Sequence, residues 1–315
     1  MKSALVTGAY GYLGRYVSRA LAREDIKVIG LGHGSWGQNE QSDWGVTDWH
    51  QANVTLEALS TLEGNIDAVF HCAGPSRHSE SMTKPYEDYQ GSVATTIAVL
   101  EFIRRHRPEA ALVLPSSAAV YGVATEQPIK VTCPYSPLSP YGVHKIIAED
   151  LCRSYGKYFG VRSAIVRLFS IYGIGLRKQL WWDSCVKFSN GVEEFIGTGN
   201  ETRDWLSVED AATLMIRGAE HADKNCPIAN GGVGEASSIR EVVTIIAEAL
   251  GHSTDIKFDG TTRAGDPTDF KADISEALAW GWKPDHNWQD GVREFAQWYA
   301  DGAPKSSWLL IYRSR

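Results

Sequence analysis

Basic residues are in deficit: 31 Lys plus Arg stand against 38 Asp plus Glu, a formal charge of −7, and no run of cations breaks the pattern. A surface of that sign repels phosphate backbones and anionic bilayers, so neither nucleic acid nor a membrane is expected as a partner. Cysteine is scarce too. Cys72, Cys133, Cys152, Cys185 and Cys226 are odd in number, scattered and never spaced Cys-x-x-Cys, which fits reduced thiols and argues against a disulfide scaffold or a metal site. No apolar run approaches the ~18 residues that would span a bilayer. The N-terminus enters Ala4-Leu5-Val6 without signal-peptide architecture, so a cytoplasmic protein is expected. Internal repeats, heptads and low-complexity tracts are absent as well, which excludes solenoids and coiled coils.

What is present begins at once. Ser3-Ala4-Leu5-Val6-Thr7 is an apolar run that opens onto Gly8-Ala9-Tyr10-Gly11-Tyr12-Leu13-Gly14, followed by Val17, Ala20 and Leu21 at helical spacing. A Gly-x-x-Gly-x-x-Gly turn between strand and helix lets the backbone approach a pyrophosphate and aims a helix N-terminus at it. Gly8, Tyr10, Gly11, Tyr12, Leu13 and Gly14 are therefore candidate dinucleotide contacts. Ile26 to Leu31 reads as the second strand. At its end stand Gly32-His33-Gly34-Ser35, where an NAD-binding fold usually has a carboxylate for the ribose 2′-hydroxyl. Arg15 and His33 offer positive charge to a 2′-phosphate instead, which favours NADP. NAD is the alternative, with Arg15 then a solvated helix residue.

No third strand is evident before Val46, and Asp48 to Leu62 reads as helical. Ile66 to Gly74 is a buried strand that brings Ala73 to the ligand edge. Val93 to Ile103 is a helix closed by Arg104, Arg105 and Pro108. Ala110 to Leu114 is a strand delivering Ser116-Ser117, and Val161 to Phe169 is a strand ending at Ser170. The alternation predicts a Rossmann-like doubly wound parallel sheet over residues 1–170. Glycine- and tryptophan-rich loops with helices at Ile239 to Leu250 and Asp290 to Tyr299 predict a smaller C-terminal α/β substrate lobe over 171–302. Segments near 205–230 return to the first domain. The tail 303–315 shows no periodicity, and most of the eleven tryptophans are expected in the core.

The sharpest feature is Ser139-Pro140-Tyr141-Gly142-Val143-His144-Lys145 at the start of a helix. Four residues apart, Tyr141 and Lys145 leave one helical face a turn apart. A free tyrosine titrates near pH ~10, and a cation beside a phenol favours the phenolate, so the pair is suited to moving a proton to or from a substrate oxygen.

With the glycine turn, Ser117 in Ser117-Ala118-Ala119-Val120-Tyr121-Gly122, and Tyr141 with Lys145, the chain resembles the extended short-chain dehydrogenase/reductase superfamily. More narrowly it resembles the NAD-dependent epimerase/dehydratase family, which modifies nucleotide-activated sugars. Arg203-Asp204-Trp205-Leu206-Ser207-Val208 and Arg263-Ala264-Gly265-Asp266 resemble two further segments of that family, and the likeness runs to about residue 300. It implies Tyr141 as general acid/base, Lys145 promoting its ionisation and holding the nicotinamide ribose, and Ser117 hydrogen-bonding the reacting sugar oxygen. It also implies Arg203 and Arg263 on the substrate diphosphate, a nucleoside-diphosphate sugar as substrate, and a homodimer through Val93 to Ile103 and Tyr141 to Tyr155.

Departures narrow the reaction. Ala118 and Ala119 stand where 4,6-dehydratases of the family carry Asp-Glu, which argues against dehydration. Ser170 replaces a family asparagine at the diphosphate and Gly45 an aspartate at the adenine. Cys133 and His144 match no family motif in position and read as a loop cysteine and helix filler. Gly175 to Trp182 offers two cations and two indoles that either meet a nucleotide or form a basic loop beside core tryptophans. Two reactions at C4 remain: a 4-keto-sugar reductase using NADPH, favoured by the missing carboxylate, or a 4-epimerase holding NAD. A reductase of a small neutral carbonyl would leave Arg203 and Arg263 little to bind. A dinucleotide sensor without chemistry would not need Ser117, Tyr141 and Lys145.

Overall fold

The computed structural model describes residues 1–76, 78–261 and 268–303, so Arg263 and most of the tail lie outside the described residues. In chain order come β1 (Ser3–Thr7), α1 (Tyr12–Arg23), β2 (Lys27–Gly32), α2 (Glu40–Asp43), β3 (Val46–Gln51), α3 (Leu56–Ser60) and β4 (Ala68–His71). Then follow α4 (His78–Thr83), α5 (Pro85–Tyr89), a π-helical turn at Gln90–Ala94, α6 (Thr95–His106), β5 (Ala111–Ser117), a tight turn at Ala118–Val120, α7 (Pro140–Phe159) and β6 (Ser163–Leu168). The rest supplies β7 (Ser170–Tyr172), α8 (Gln179–Ser189), β8 (Glu194–Phe195), β9 (Thr202–Arg203), β10 (Trp205–Ser207), α9 (Val208–His221) and β11 (Ile228–Gly231). It closes with β12 (Ser237–Ser238), α10 (Ile239–Ala249), β13 (Lys257–Phe258), α11 (Ser275–Ala279) and α12 (Trp288–Ala300). No helix among the described residues is long and apolar enough to cross a membrane.

Seven strands form one sheet in the order β11-β6-β5-β4-β1-β2-β3, every pairing parallel. Parallel strands are buried on both faces, so successive residues feed opposite cores. Ala4 and Val6 join Val17, Leu21, Leu214 and Met215 under α1 and α9, whereas Leu5 joins Val99, Phe102, Ile103 and Ala148 under α6 and α7. The strand order reverses between β1 and β4, so their carboxyl ends part and leave the crevice where ligands of such sheets bind. A third core gathers Tyr172, Trp181, Phe188, Trp205, Ile246, Phe295 and Trp298, and Trp44, Trp280, Trp282 and Trp288 are buried as well.

One expectation fails. The stretch expected to be helical from Asp48 to Leu62 holds the end of β3, and only Leu56–Ser60 is helix, capped by Thr55 Oγ1 accepting the Ala58 N–H at 3.1 Å. β3 is the sheet's last strand and its register sets Trp49 beside Gly30. With a neighbour on one side alone, Thr47 and Asp48 stay exposed, and the polar residues mask the strand pattern. The helix expected from Val93 to Ile103 also starts later, at Thr95, behind the π-helical turn, and runs to His106.

Charge ties α1 and α9 to the loop before α12. Arg19 Nη2 lies 2.9 Å from Glu209, and His286 bridges Asp210 through Nδ1 at 2.9 Å and Glu209 through Nε2 at 3.0 Å. Hydrogen bonds to Asp210 and Glu209 push the imidazole up to about 10 against the opposing effect of burial. An unfolded histidine titrates near ~6.5, so this stabilisation is complete below that pH and is lost as pH rises through the folded value. The gap in melting temperature between the wild type and His286→Gln should therefore be widest near pH ~6 and shrink steadily toward pH ~10.5. A gap constant across thermal melts over that range would contradict it.

Candidate active site

β1 ends where the crevice opens. Gly8 takes φ +69°, its N–H donates to Leu31 O at 2.6 Å and its carbonyl accepts the Gly11 N–H at 2.8 Å. A Cβ on Gly14 would lie 2.1 Å from Gly8 O, and one on Gly8 2.7 Å from Ala73 N. The turn thus closes only with glycine. It leaves a hollow of bare backbone at the start of α1, where Tyr12 and Leu13 begin the helix with its N–H groups facing out. A dinucleotide pyrophosphate fits that hollow. Ala73 borders it from β4, its N–H 3.4 Å from Thr7 Oγ1.

Arg15 does not stand open to a 2′-phosphate as the sequence suggested. It is 4 % exposed, donates from Nε to Tyr10 O at 2.8 Å, and pairs through Nη1 with Glu40. Its guanidinium lies 4.3 Å from the Tyr10 ring centre and 4.7 Å from that of Trp36. His33 is exposed at the same edge.

The catalytic candidates meet at the carboxyl end of β5. Ser139 caps α7, its Oγ accepting the Gly142 N–H at 3.2 Å, and Pro140 fills the first helical position, where no N–H is needed. A Cβ on Gly142 would come within 2.7 Å of Ala119 O, so the helix seats directly on the turn that follows Ser117. Ser117 Oγ accepts the Ala119 N–H at 3.2 Å, which leaves its proton to donate. The Tyr141 N–H donates to buried Ser81 Oγ at 3.1 Å. Lys145 Nζ donates to Pro115 O at 3.1 Å and lies 5.7 Å from the centre of the Tyr141 ring. Beside it, buried His71 spans Thr7 Oγ1 at 2.7 Å and Thr95 Oγ1 at 3.2 Å. Burial and then the Lys145 charge push His71 down to about 3, and burial pushes Cys72 up to about 12, so both stay neutral. His144 turns to Asp88, 2.6 Å from Nδ1, which makes it a packing residue between α5 and α7.

Of the substrate candidates among the described residues, Ser170 lies in β7 and Arg203 in β9. Ser170 starts β7, its N–H donating to Asp204 O at 3.0 Å. Arg203 sits in β9 with Nη1 on Thr202 O at 2.8 Å. Its neighbour Asp204 is buried, and its carboxylate accepts from the N–H groups of Val233 at 2.6 Å, Gly234 at 3.0 Å and Ala272 at 3.0 Å. Burial pushes Asp204 up to about 6 despite those donors. In the Gly175 to Trp182 stretch, Trp181 is core, Arg177 packs over Trp182 and Trp298, and Lys178 Nζ reaches Ser76 Oγ at 2.5 Å across the opening.

One residue set escaped the sequence reading. Glu149 lies one turn beyond Lys145 on α7, fully buried, and its carboxylate receives Ser116 Oγ at 2.6 Å and Arg167 at 3.0 Å and 2.7 Å. Arg167 also donates to Tyr121 at 2.9 Å and Tyr135 at 2.6 Å, and Tyr121 donates to Asn230 at 2.6 Å. Burial raises the Glu149 carboxyl, but Arg167 and Ser116 outweigh it and hold it below the usual carboxylate range. The Tyr141, Lys145, Glu149 spacing at steps of four was the available signal. Glu149→Ala leaves Arg167 buried and unpaired and should cost roughly 3–5 kcal/mol in urea unfolding. The double Glu149→Leu, Arg167→Met should be more stable than that single variant. Equal unfolding midpoints would show that the cost does not come from an unpaired charge.

Comparison with known proteins places the sequence in a family and matches its fold. Residues 4–230 match the model of the NAD dependent epimerase/dehydratase family. The chain is 29 % identical over 320 residues to UDP-glucose 4-epimerase of Azospirillum brasilense, covering 93 % of this chain and 91 % of that one. It is 29 % identical over 303 residues to UDP-glucose 4-epimerase of Corynebacterium glutamicum, covering 90 % and 91 %. Its fold superposes on MoeE5 in complex with UDP-glucose and NAD with a TM-score of 0.84 at 25 % identity, covering 96 % of this chain and 100 % of MoeE5. With its glycine turn, parallel sheet and serine, tyrosine and lysine at one sheet edge, the chain belongs to the NAD dependent epimerase/dehydratase family.

Proposed function

We propose that this protein is a UDP-hexose 4-epimerase that retains NAD at the Gly8 to Gly14 turn. The observation that carries the reading is the convergence of Ser117, Tyr141 and Lys145 on the sheet edge beside that turn. Relatives named as UDP-glucose 4-epimerases and a structural neighbour that holds NAD with UDP-glucose support it. The 4-keto-sugar reductase using NADPH, favoured in the sequence by the missing carboxylate after the second strand, loses the support that Arg15 lent it, because Arg15 is paired with Glu40.

When bound, NAD would be held through its pyrophosphate at the Gly8 to Gly14 turn and would supply a reversible hydride acceptor for C4 of the sugar. Tyr141 accepts the O4 proton in the first half of the cycle and gives it back in the second, so no net proton is consumed. Ser117 donates to O4 and fixes its direction, a positioning role that keeps the oxygen in line with Tyr141. Lys145 keeps a positive charge beside the phenol and serves the nicotinamide ribose. Gly8, Tyr10, Gly11, Tyr12, Leu13, Gly14 and Ala73 hold the dinucleotide. Ser170, Arg203 and Arg263 take the uridine diphosphate, with residues 171–302 forming most of its lobe.

Denaturing freshly purified protein should release stoichiometric NAD⁺, and UDP-glucose should convert to UDP-galactose by NMR without added cofactor. Empty protein that turns over only with NADPH and a 4-keto sugar would establish the reductase instead. Tyr141→Phe should lower turnover by about 10²–10⁴-fold while the bound NAD⁺ persists; unchanged turnover would remove Tyr141 from the chemistry. α6 and α7 present exposed Ile97, Val143, Tyr158 and Phe159, which suits a homodimer across these helices. Light scattering at micromolar concentration should give twice the chain mass, and a monomer would refute the assembly.

A further inference from the structure

The end of β2 lacks the carboxylate that ordinarily excludes a 2′-phosphate, yet an acidic side chain reaches this edge from elsewhere. Glu40, the first residue of α2, follows Asn39 in a left-handed turn at φ +65°. One of its oxygens pairs with Arg15 Nη1 and the other accepts the Gly37 N–H at 2.9 Å. Arg15 is held on its remaining sides by Tyr10 O at 2.8 Å and by the Tyr10 and Trp36 rings, themselves 4.9 Å apart. The glycine turn is bonded to β2 by the Gly8 N–H to Leu31 O contact at 2.6 Å, and a Cβ on Gly34, just past β2, would lie 2.5 Å from the Tyr10 ring, so the ring that stacks on Arg15 packs against the loop that follows β2.

We propose that Glu40 sets the dinucleotide preference of this chain by occupying Arg15, so that the pair tolerates a ribose 2′-hydroxyl and rejects a 2′-phosphate. This rests on the cofactor reading above and goes beyond it, because it assigns selectivity to a residue outside the glycine turn and outside β2. The physical reason is charge. An arginine fork is a good phosphate receptor when its donors are open. Here a carboxylate already neutralises it, and an incoming dianion would have to displace or face that carboxylate, whereas a neutral hydroxyl would not. Removing the Glu40 charge takes away that neutralisation without touching the turn.

The test is binding, not turnover. Full-length protein freed of nucleotide with charcoal is titrated with NADH and with NADPH, following nicotinamide fluorescence, for the wild type, Glu40→Gln and the double Glu40→Gln, Arg15→Met. The wild type should prefer NADH. In Glu40→Gln the ratio of NADPH to NADH dissociation constants should fall by about tenfold or more, mainly through tighter NADPH. The double variant should lose that gain while still binding NADH. A ratio within about twofold of wild type in a cooperatively melting Glu40→Gln protein would overturn the proposal and leave the cofactor reading intact. A gain that survives in the double variant would overturn it too, since the new affinity would not come from Arg15. A wild type that binds neither dinucleotide would sink both readings, and one that prefers NADPH would sink this one.

Discussion

Everything at the candidate active site depends on how α7 is held. Tyr141 and Lys145 occupy its first turn and a half, and a helix is free to slide or roll on a sheet unless something fixes it. Glu149 supplies the fixing point. Its two oxygens are shared among buried Ser116 of β5 and Arg167 of β6, with Tyr135 and Arg153 closing the network on its solvent side. Charged groups in the interior are stabilising only with near-complete pairing, so the network tolerates one arrangement of α7 against β5. Ser117 is the residue after Ser116. The position of the phenol relative to the serine is thus set two helical turns away by a carboxylate that has no chemical part to play.

The same arrangement explains the conformity of the glycine turn. Side chains are excluded at Gly8 and Gly14 because β1, β4 and α1 converge on one point, and backbone N–H groups are left as the lining. That lining suits an anion at the head of α1 without any basic residue, which is consistent with a chain whose surface is otherwise short of cations. Arg15, the residue after Gly14, works inward on the Tyr10, Trp36 and Trp44 rings and a carboxylate.

The fold was legible where burial and spacing dictate it. β1, β4, β5 and β6 are continuous apolar runs, and α7 announces itself by Ser139, Pro140 and the residues that follow. β3 was misread because an edge strand needs fewer apolar residues and its polar ones resemble a solvated helix. The proximity of Ser117 to Tyr141 was legible by resemblance alone, since the segment between them carries no periodicity. The Arg15 and Glu40 pair was invisible because its partners are separated by a whole strand, and a carboxylate in a short polar turn looks like any other. Long-range pairing of this kind leaves no periodic trace in a sequence.

The sheet's outermost strand has a consequence for how the chain comes into being. β11 docks on β6 only after the chain has left the first lobe, laid down β7 to β10 and returned through α9. Until α9 has emerged from a ribosome the face it covers with Leu214 and Met215 lies bare, and until about residue 231 has followed β6 is an open edge. Parallel pairing at such long separation is slow to form, and an unpaired apolar edge invites association with other chains. The sheet and the segments inserted between β6 and β11 are thus interlaced in the order of synthesis, and the nascent chain covers this edge late.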